Sequence, residues 1–143
     1  MLWQLADQPR SQWTALRALF QLYREERDTR GLYRALLRWA KLKPDDRAVQ
    51  NNVAQLSLLL GADIAKARDA ARPLHEKEPQ NPAFASTYAF ALSRAGDTGG
   101  ALRVFQRLSP AQLDDPPIAL YYGVILVGSN RRLEATRYLD LST

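Results

Sequence analysis

The chain reads as an all-α solenoid, a tandem array of helical hairpins, on three observations. Pro9, Pro44 and Pro79 stand 35 residues apart, and the next step lands in Asp114-Asp115-Pro116-Pro117. Apolar residues recur at helical three-and-four spacing almost throughout, without the β-branched alternation that strands need. A short side chain able to cap a helix also returns at nearly the same period. A unit of this length cannot bury its own apolar face and must stack on its neighbours, which makes an extended, surface-rich body suited to binding.

Each element follows from the residues in turn. Trp13, Leu16, Leu19, Phe20 and Tyr23 form the stripe of a first helix, and Leu32, Leu36, Trp39 and Ala40 that of a second, stopped by Pro44. The next pair spans about 47–60 and 63–77, with Gly61 in the turn and Pro79 as the stop. A third spans 82–95 and 97–108, joined at Gly96, where a left-handed cap is expected. The fourth begins at Pro117, turns at Ser129-Asn130 and is still helical when the chain reaches Thr143.

The organisation is therefore a tail at 1–9, repeats at 10–44, 45–79 and 80–114, and an incomplete repeat at 115–143. Asp28 or Thr29, Asp63, Asp97 and Asn130 are the expected caps of the second helices, accepting from first-turn amides. Ala67, Ala101 and Ala135, 34 residues apart, are expected where two helices approach closely. Pro73 should kink the second helix of the second repeat. Ser109-Pro110 should end the third repeat early and leave Ala111-Gln112-Leu113 as a separate turn.

Composition narrows the chemistry. A hydrophobic content of 46% in 143 residues supports one continuous core. No run approaches the roughly 18 apolar residues of a membrane span. The net charge is +5 and the sequence pI about 9.8. With no cysteine there is neither disulfide nor thiolate chemistry. His75, the sole histidine, lacks partners for a metal set and is expected on a helix surface. Glu25-Glu26 and Asp114-Asp115 have no facing acid. Gly96, Gly99 and Gly100 imitate a phosphate loop without the strand or the Lys-Ser/Thr pair it needs. No catalytic residue, metal site or cofactor is expected, and the chain is not read as an enzyme.

The stretch from Tyr88-Ala89-Phe90 through Gly96-Asp97 to Ala101 and Phe105 closely resembles the tetratricopeptide repeat. Tyr122-Gly123, Leu126, Asn130, Ala135 and Leu139 repeat the pattern, as do Val53-Ala54, Gly61, Ala67, Ala71 and Pro79. The first repeat departs most, with Leu19-Phe20 in place of a large-small pair and Leu32 in place of alanine. The resemblance covers 12–141. It implies a right-handed superhelix whose first helices line a concave groove holding a peptide or a partner's helix.

On that implication, Arg17, Gln21 and Arg24, then Asn51, Asn52 and Gln55, then Phe90 and Arg94, then Tyr121 and Val124 are the expected groove residues. Ala83, Ser86 and Thr87 share the same face of the third repeat. Arg17 and Arg24, two turns apart, would bind the carboxylates of an acidic peptide, with Asn52 and Gln55 on its backbone and Phe90, Tyr121 and Val124 receiving an apolar anchor. A chaperone clamp is not expected, because Ala83 and Thr87 stand where its later cations should be.

The alternative partner is single-stranded nucleic acid. Nine basic residues against three acidic ones lie between Arg10 and Lys43, and Arg27, Arg30, Arg34 and Arg38 could form a stripe near Tyr33 and Trp39. Leu2, Trp3 and Leu5 precede Pro9 as a preceding repeat's second helix would, so the chain is read as part of a longer repeat protein. Leu133, Tyr138, Leu139 and Leu141 would then leave an apolar end able to form end-to-end homodimers. No export signal is recognisable, which favours the cytoplasm and leaves the periplasm open if a signal lay upstream.

Overall fold

The computed structural model describes residues 1–142, and among them every regular element is a helix. In order these are α1 (Leu2–Ala6), α2 (Gln12–Glu25), α3 (Thr29–Leu42), α4 (Arg47–Leu60), α5 (Ile64–Lys77), α6 (Pro82–Arg94), α7 (Thr98–Gln106), α8 (Pro110–Leu113), α9 (Pro116–Gly128) and α10 (Arg132–Leu141). Successive helices pack on one another, except that α7 passes the short α8 to pack on α9, and α2 with α3, α4 with α5, α6 with α7 and α9 with α10 form the hairpins of a helical solenoid. First helices also meet directly, α4 on α6 and α6 on α9.

The hairpins start and turn by one local chemistry. Asp28, Asp63 and Asp97 each accept from the backbone N–H three residues on, at 2.9, 3.0 and 2.8 Å. Such caps contribute about 1 kcal/mol each by pairing an otherwise unsatisfied amide. The fourth hairpin departs from the expected pattern, since Arg131 occupies the cap position of α10 and its side chain, which donates to Glu134, caps no first-turn amide. Asn130 instead adopts the left-handed conformation, at φ 62°, that Gly61 and Gly96 supply in the preceding hairpins. Its short polar side chain tolerates that conformation better than most. In the first hairpin Arg27 holds φ 54° with no such excuse.

Small residues set the helix spacing. Ala67, Ala101 and Ala135 are all buried, as are Ala54 and Ala89 on the facing first helices. Gly123 lies so near α10 that an added Cβ would stand 2.8 Å from the Leu139 side chain and 3.3 Å from its backbone nitrogen. In the first hairpin, where Leu32 replaces the alanine, close approach moves one residue back to Gly31, whose Cα lies against the Tyr23 ring. That ring is fixed, because the Trp3 indole N–H donates to its hydroxyl at 2.9 Å.

Three apolar cores result. One gathers Leu16, Leu19, Tyr23 and Ala35 with Ala6 of α1. A second joins Ala54, Leu58, Ala67 and Ala71 to Ala91 of α6. The third runs through Phe105, Tyr122, Ile125 and Leu126, and Tyr88 packs against both it and the second. Phe105, Tyr122 and Tyr138 continue it as an aromatic ladder with centroids 5.0 and 4.6 Å apart. The first core shares no residue with the second, so the apolar interior is interrupted between α2/α3 and α4.

Two prolines act at helix boundaries or within a helix. Ser109 and Pro110 open α8 with a reciprocal capping box to Gln112, which separates this turn from α7 as the residues predict. The helical span of α5 continues through Pro73, which is exposed.

Replacing Arg27 by glycine removes a left-handed strain at an exposed position. It should raise stability by about 0.5–1 kcal/mol, read as a higher midpoint in thermal unfolding followed by circular dichroism. Gly31→Ala should act in the opposite sense, by about 1–3 kcal/mol, because the Tyr23 ring cannot move aside without losing its bond to Trp3.

Candidate functional site

The interruption in the core opens as a cleft where α2 stands away from α4. It has two lobes. One, about 260 Å³, is bounded by Arg17, Phe20, Leu36, Trp39, Val49 and Asn52. The other, about 380 Å³, shares Phe20, Leu36 and Asn52 and extends to Arg24, Gln55 and Leu56. The floor is therefore apolar and aromatic, while guanidinium and amide groups stand at the rim.

Local packing explains the shape. Trp39 stands edge-on to Trp13 and Phe20, with centroids 5.6 and 6.4 Å away, so these rings wedge the seam. Packing of this kind leaves the Trp39 indole N–H buried without an acceptor. Neither Arg17 nor Arg24 forms an ion pair among the described residues. Glu25 forms no ion pair with them; its carboxylate accepts from the Gln21 amide at 2.7 Å.

The remaining expected groove residues are distributed differently. Gln55 donates to the Tyr121 hydroxyl at 2.7 Å, and Tyr121 packs on Phe90 with centroids 5.1 Å apart. Burial raises the Tyr121 pKa, an effect the Gln55 bond opposes. Phe90 and Tyr121 are thus already engaged with each other, while Val124 remains half exposed. Arg94 is exposed near the Gly61 turn, its guanidinium 3.3 Å from where a Cβ would stand. Asn51 must be withdrawn as a groove residue: it is 4% exposed, and its side-chain oxygen is buried without a partner. Ser86 and Thr87 are buried too, turned inward by the packing of α6 on both neighbouring hairpins.

Phe20, Leu36 and Trp39, together with Leu32, Val49 and Leu56, are the cleft residues that helical-position reasoning missed. The signal lay in the caps. Ser11, Asp46, Asn81 and Asp115 open the four first helices at 35-, 35- and 34-residue steps. That register aligns Phe20 with Gln55, Phe90 and Val124, and aligns Ala18-Leu19 rather than Leu19-Phe20 with the large-small pairs.

Half of the expected stripe of Arg27, Arg30, Arg34 and Arg38 is engaged within the fold. Arg38 pairs with Asp7 at 2.9 Å, and Arg34 lies over the Trp3 and Tyr23 rings at 5.8 and 5.9 Å. Trp39 is packed edge-on with Trp13 and Phe20 at the cleft between α2 and α4.

His75 also departs from expectation. It is 6% exposed and stacked on Tyr88, centroids 5.4 Å apart, because α6 covers its face of α5. Among the described residues no cluster of three or more His, Asp or Glu side chains could hold a metal ion. Nor is any helix long and apolar enough to cross a membrane.

A solenoid of capped helical hairpins with alanine crossings and a cleft at one seam defines a class of helical-repeat interaction proteins. The tetratricopeptide repeat profile matches residues 58–139, more than half of the chain, and the chain belongs to the tetratricopeptide repeat family. Its repeats mark a protein-protein interaction module, in a family that is typically a non-catalytic scaffold. The chain is also 30% identical over 92 residues to an uncharacterized lipoprotein of Treponema pallidum (strain Nichols). The match takes in 64% of this chain and 46% of that protein, so the chain spans about half the length of the relative.

Burial, and secondarily the charge of Arg107, hold the His75 pKa below its ordinary 6.5. The unfolded chain therefore takes up a proton near pH 6.5 that the folded chain refuses until lower pH. Stability should be full above about pH 7.5 and fall as the pH drops through 6.5 toward the folded value. Thermal melts of wild type and His75→Phe across that window check the assignment, since the variant should lose this component of the slope.

Proposed function

We propose that the chain is a non-catalytic docking module that takes an acidic peptide segment of a partner protein into the cleft between α2 and α4. The observation that carries this reading is the pairing of an apolar floor with unpaired cations at one interrupted seam. Phe20, Leu36 and Trp39 would receive an apolar side chain of the peptide. Arg17 and Arg24 would bind carboxylates on either side of it, where bidentate geometry favours guanidinium over ammonium. Asn52, at the rim of both lobes, would bind its backbone.

The electrostatic contribution is rim-exposed and therefore salt-sensitive, whereas the apolar anchor supplies the salt-independent part. Gln55, bonded to Tyr121 through one N–H, would still offer its carbonyl oxygen and second N–H to the peptide. Carried over to this chain, the description of the relative as a lipoprotein supports work outside the cytoplasm, next to a membrane surface rather than across it.

The test is titration of the chain with a fluorescent set of acidic peptides, with and without a central leucine or phenylalanine, by anisotropy. Arg17→Glu/Arg24→Glu should weaken the best peptide at least about tenfold, a loss of about 1.4 kcal/mol or more, with helical content unchanged. Phe20→Ala should remove the preference for the apolar residue while leaving the salt dependence. If no acidic peptide binds, or if charge reversal leaves affinity unaltered, the proposal is wrong.

A further inference from the structure

A second cleft lies where α5, α6 and α7 meet. It encloses about 490 Å³, with His75, Tyr88, Leu92 and Val104 among its lining residues. Arg72 of α5, Arg103 of α7 and Arg107, the residue just after α7, also border it. None of the three forms a salt bridge among the described residues. Arg72 is held in place by the Tyr88 hydroxyl, to which its Nε–H donates at 3.4 Å. Gly100 lines the cleft without a side chain to narrow it.

Two acids share the border, Glu76 and Asp97. Asp97 is already committed to the Gly100 amide as the cap of α7. Three guanidinium groups and two carboxylates thus line the cleft, and since Asp97 is held at the start of α7 by its cap, the border carries a net positive charge. His75 contributes no opposing charge, because burial and Arg107 favour its neutral form, and its Nδ1 is buried without a partner.

We propose that this cleft is a binding site for a phosphate group, free or as a monoester, held by Arg72, Arg103 and Arg107. Phosphate suits the arrangement better than a carboxylate does. Three donors, one on α5, one on α7 and one just after it, match three oxygens spread in space, whereas one planar carboxylate is satisfied by a single bidentate guanidinium. The volume leaves room for the organic remainder of an ester beside the Tyr88 and His75 rings. Binding here would bridge α5 to α7 and so stiffen the junction of the second and third hairpins, independently of the cleft between α2 and α4.

Because His75 is the only histidine, its imidazole proton resonances report on this site alone. The experiment is an NMR titration of the intact chain with inorganic phosphate, and in parallel with O-phosphoserine, at ionic strength held constant with chloride. A saturable shift of the His75 signals, an upward move of the His75 pKa, and a midpoint at least tenfold weaker in Arg103→Gln/Arg107→Gln are expected. Tighter binding of phosphoserine would identify the ligand as a monoester, and tighter binding of phosphate as the free ion, each supporting the site. Arg17→Glu/Arg24→Glu should leave the titration unchanged, so failure of one site is distinguishable from failure of the other. Absence of saturation, an equal response to chloride, or an unaltered midpoint in a folded Arg103/Arg107 variant overturns the proposal.

Discussion

Close approach of two helices at a residue with little or no side chain is the constraint on which the rest of this fold depends. Ala54, Ala89 and Gly123 on first helices, with Ala67, Ala101 and Ala135 on second helices, allow the paired backbones to come together. Only then can Leu58, Phe105, Ile125 and Leu126 lose their contact with water. Burying such side chains contributes about 1.5–3 kcal/mol each, which must offset the ordering of every residue in the hairpin. The first hairpin meets the same demand through Gly31 and Tyr23, and that substitution changes what surrounds it. Leu19 occupies the position that is small in the other first helices, and α2 stands away from α4.

Regular features were legible because local chemistry determines them. The proline period, the aspartate caps and the alanine spacing each report on a few neighbouring residues, and all describe the same hairpin. What could not be read depended on residues distant in the chain. His75 is buried by Tyr88 of the next hairpin. Asn51 is buried although helical position alone assigns it to an open face. Arg27 takes a left-handed turn that carries no glycine to announce it. The cleft was half legible: Arg17, Arg24, Asn52 and Gln55 follow from helical position, but Phe20 and Trp39 required the correct register of the first hairpin.

The arginines fall into different surroundings. At α2 and α4 the cations border an aromatic floor, so the proposed peptide would meet charge and apolar area together. The cleft of α5 and α7 is lined by three arginines beside a buried imidazole, so charge would dominate there. Other arginines are committed to ion pairs, as with Arg38 on Asp7, Arg47 on Glu78 at 2.6 Å and Arg137 on Asp114 at 3.2 Å. A net charge of +5 therefore conceals a partition that only contact geometry makes visible.

The bond from Gln55 to Tyr121 joins the second hairpin to the fourth across the third. Among the described residues no side-chain hydrogen bond reaches from the first hairpin to the third in the same way, so the second, third and fourth hairpins are cross-braced while the first is joined to them chiefly by the packing of α3 on α4.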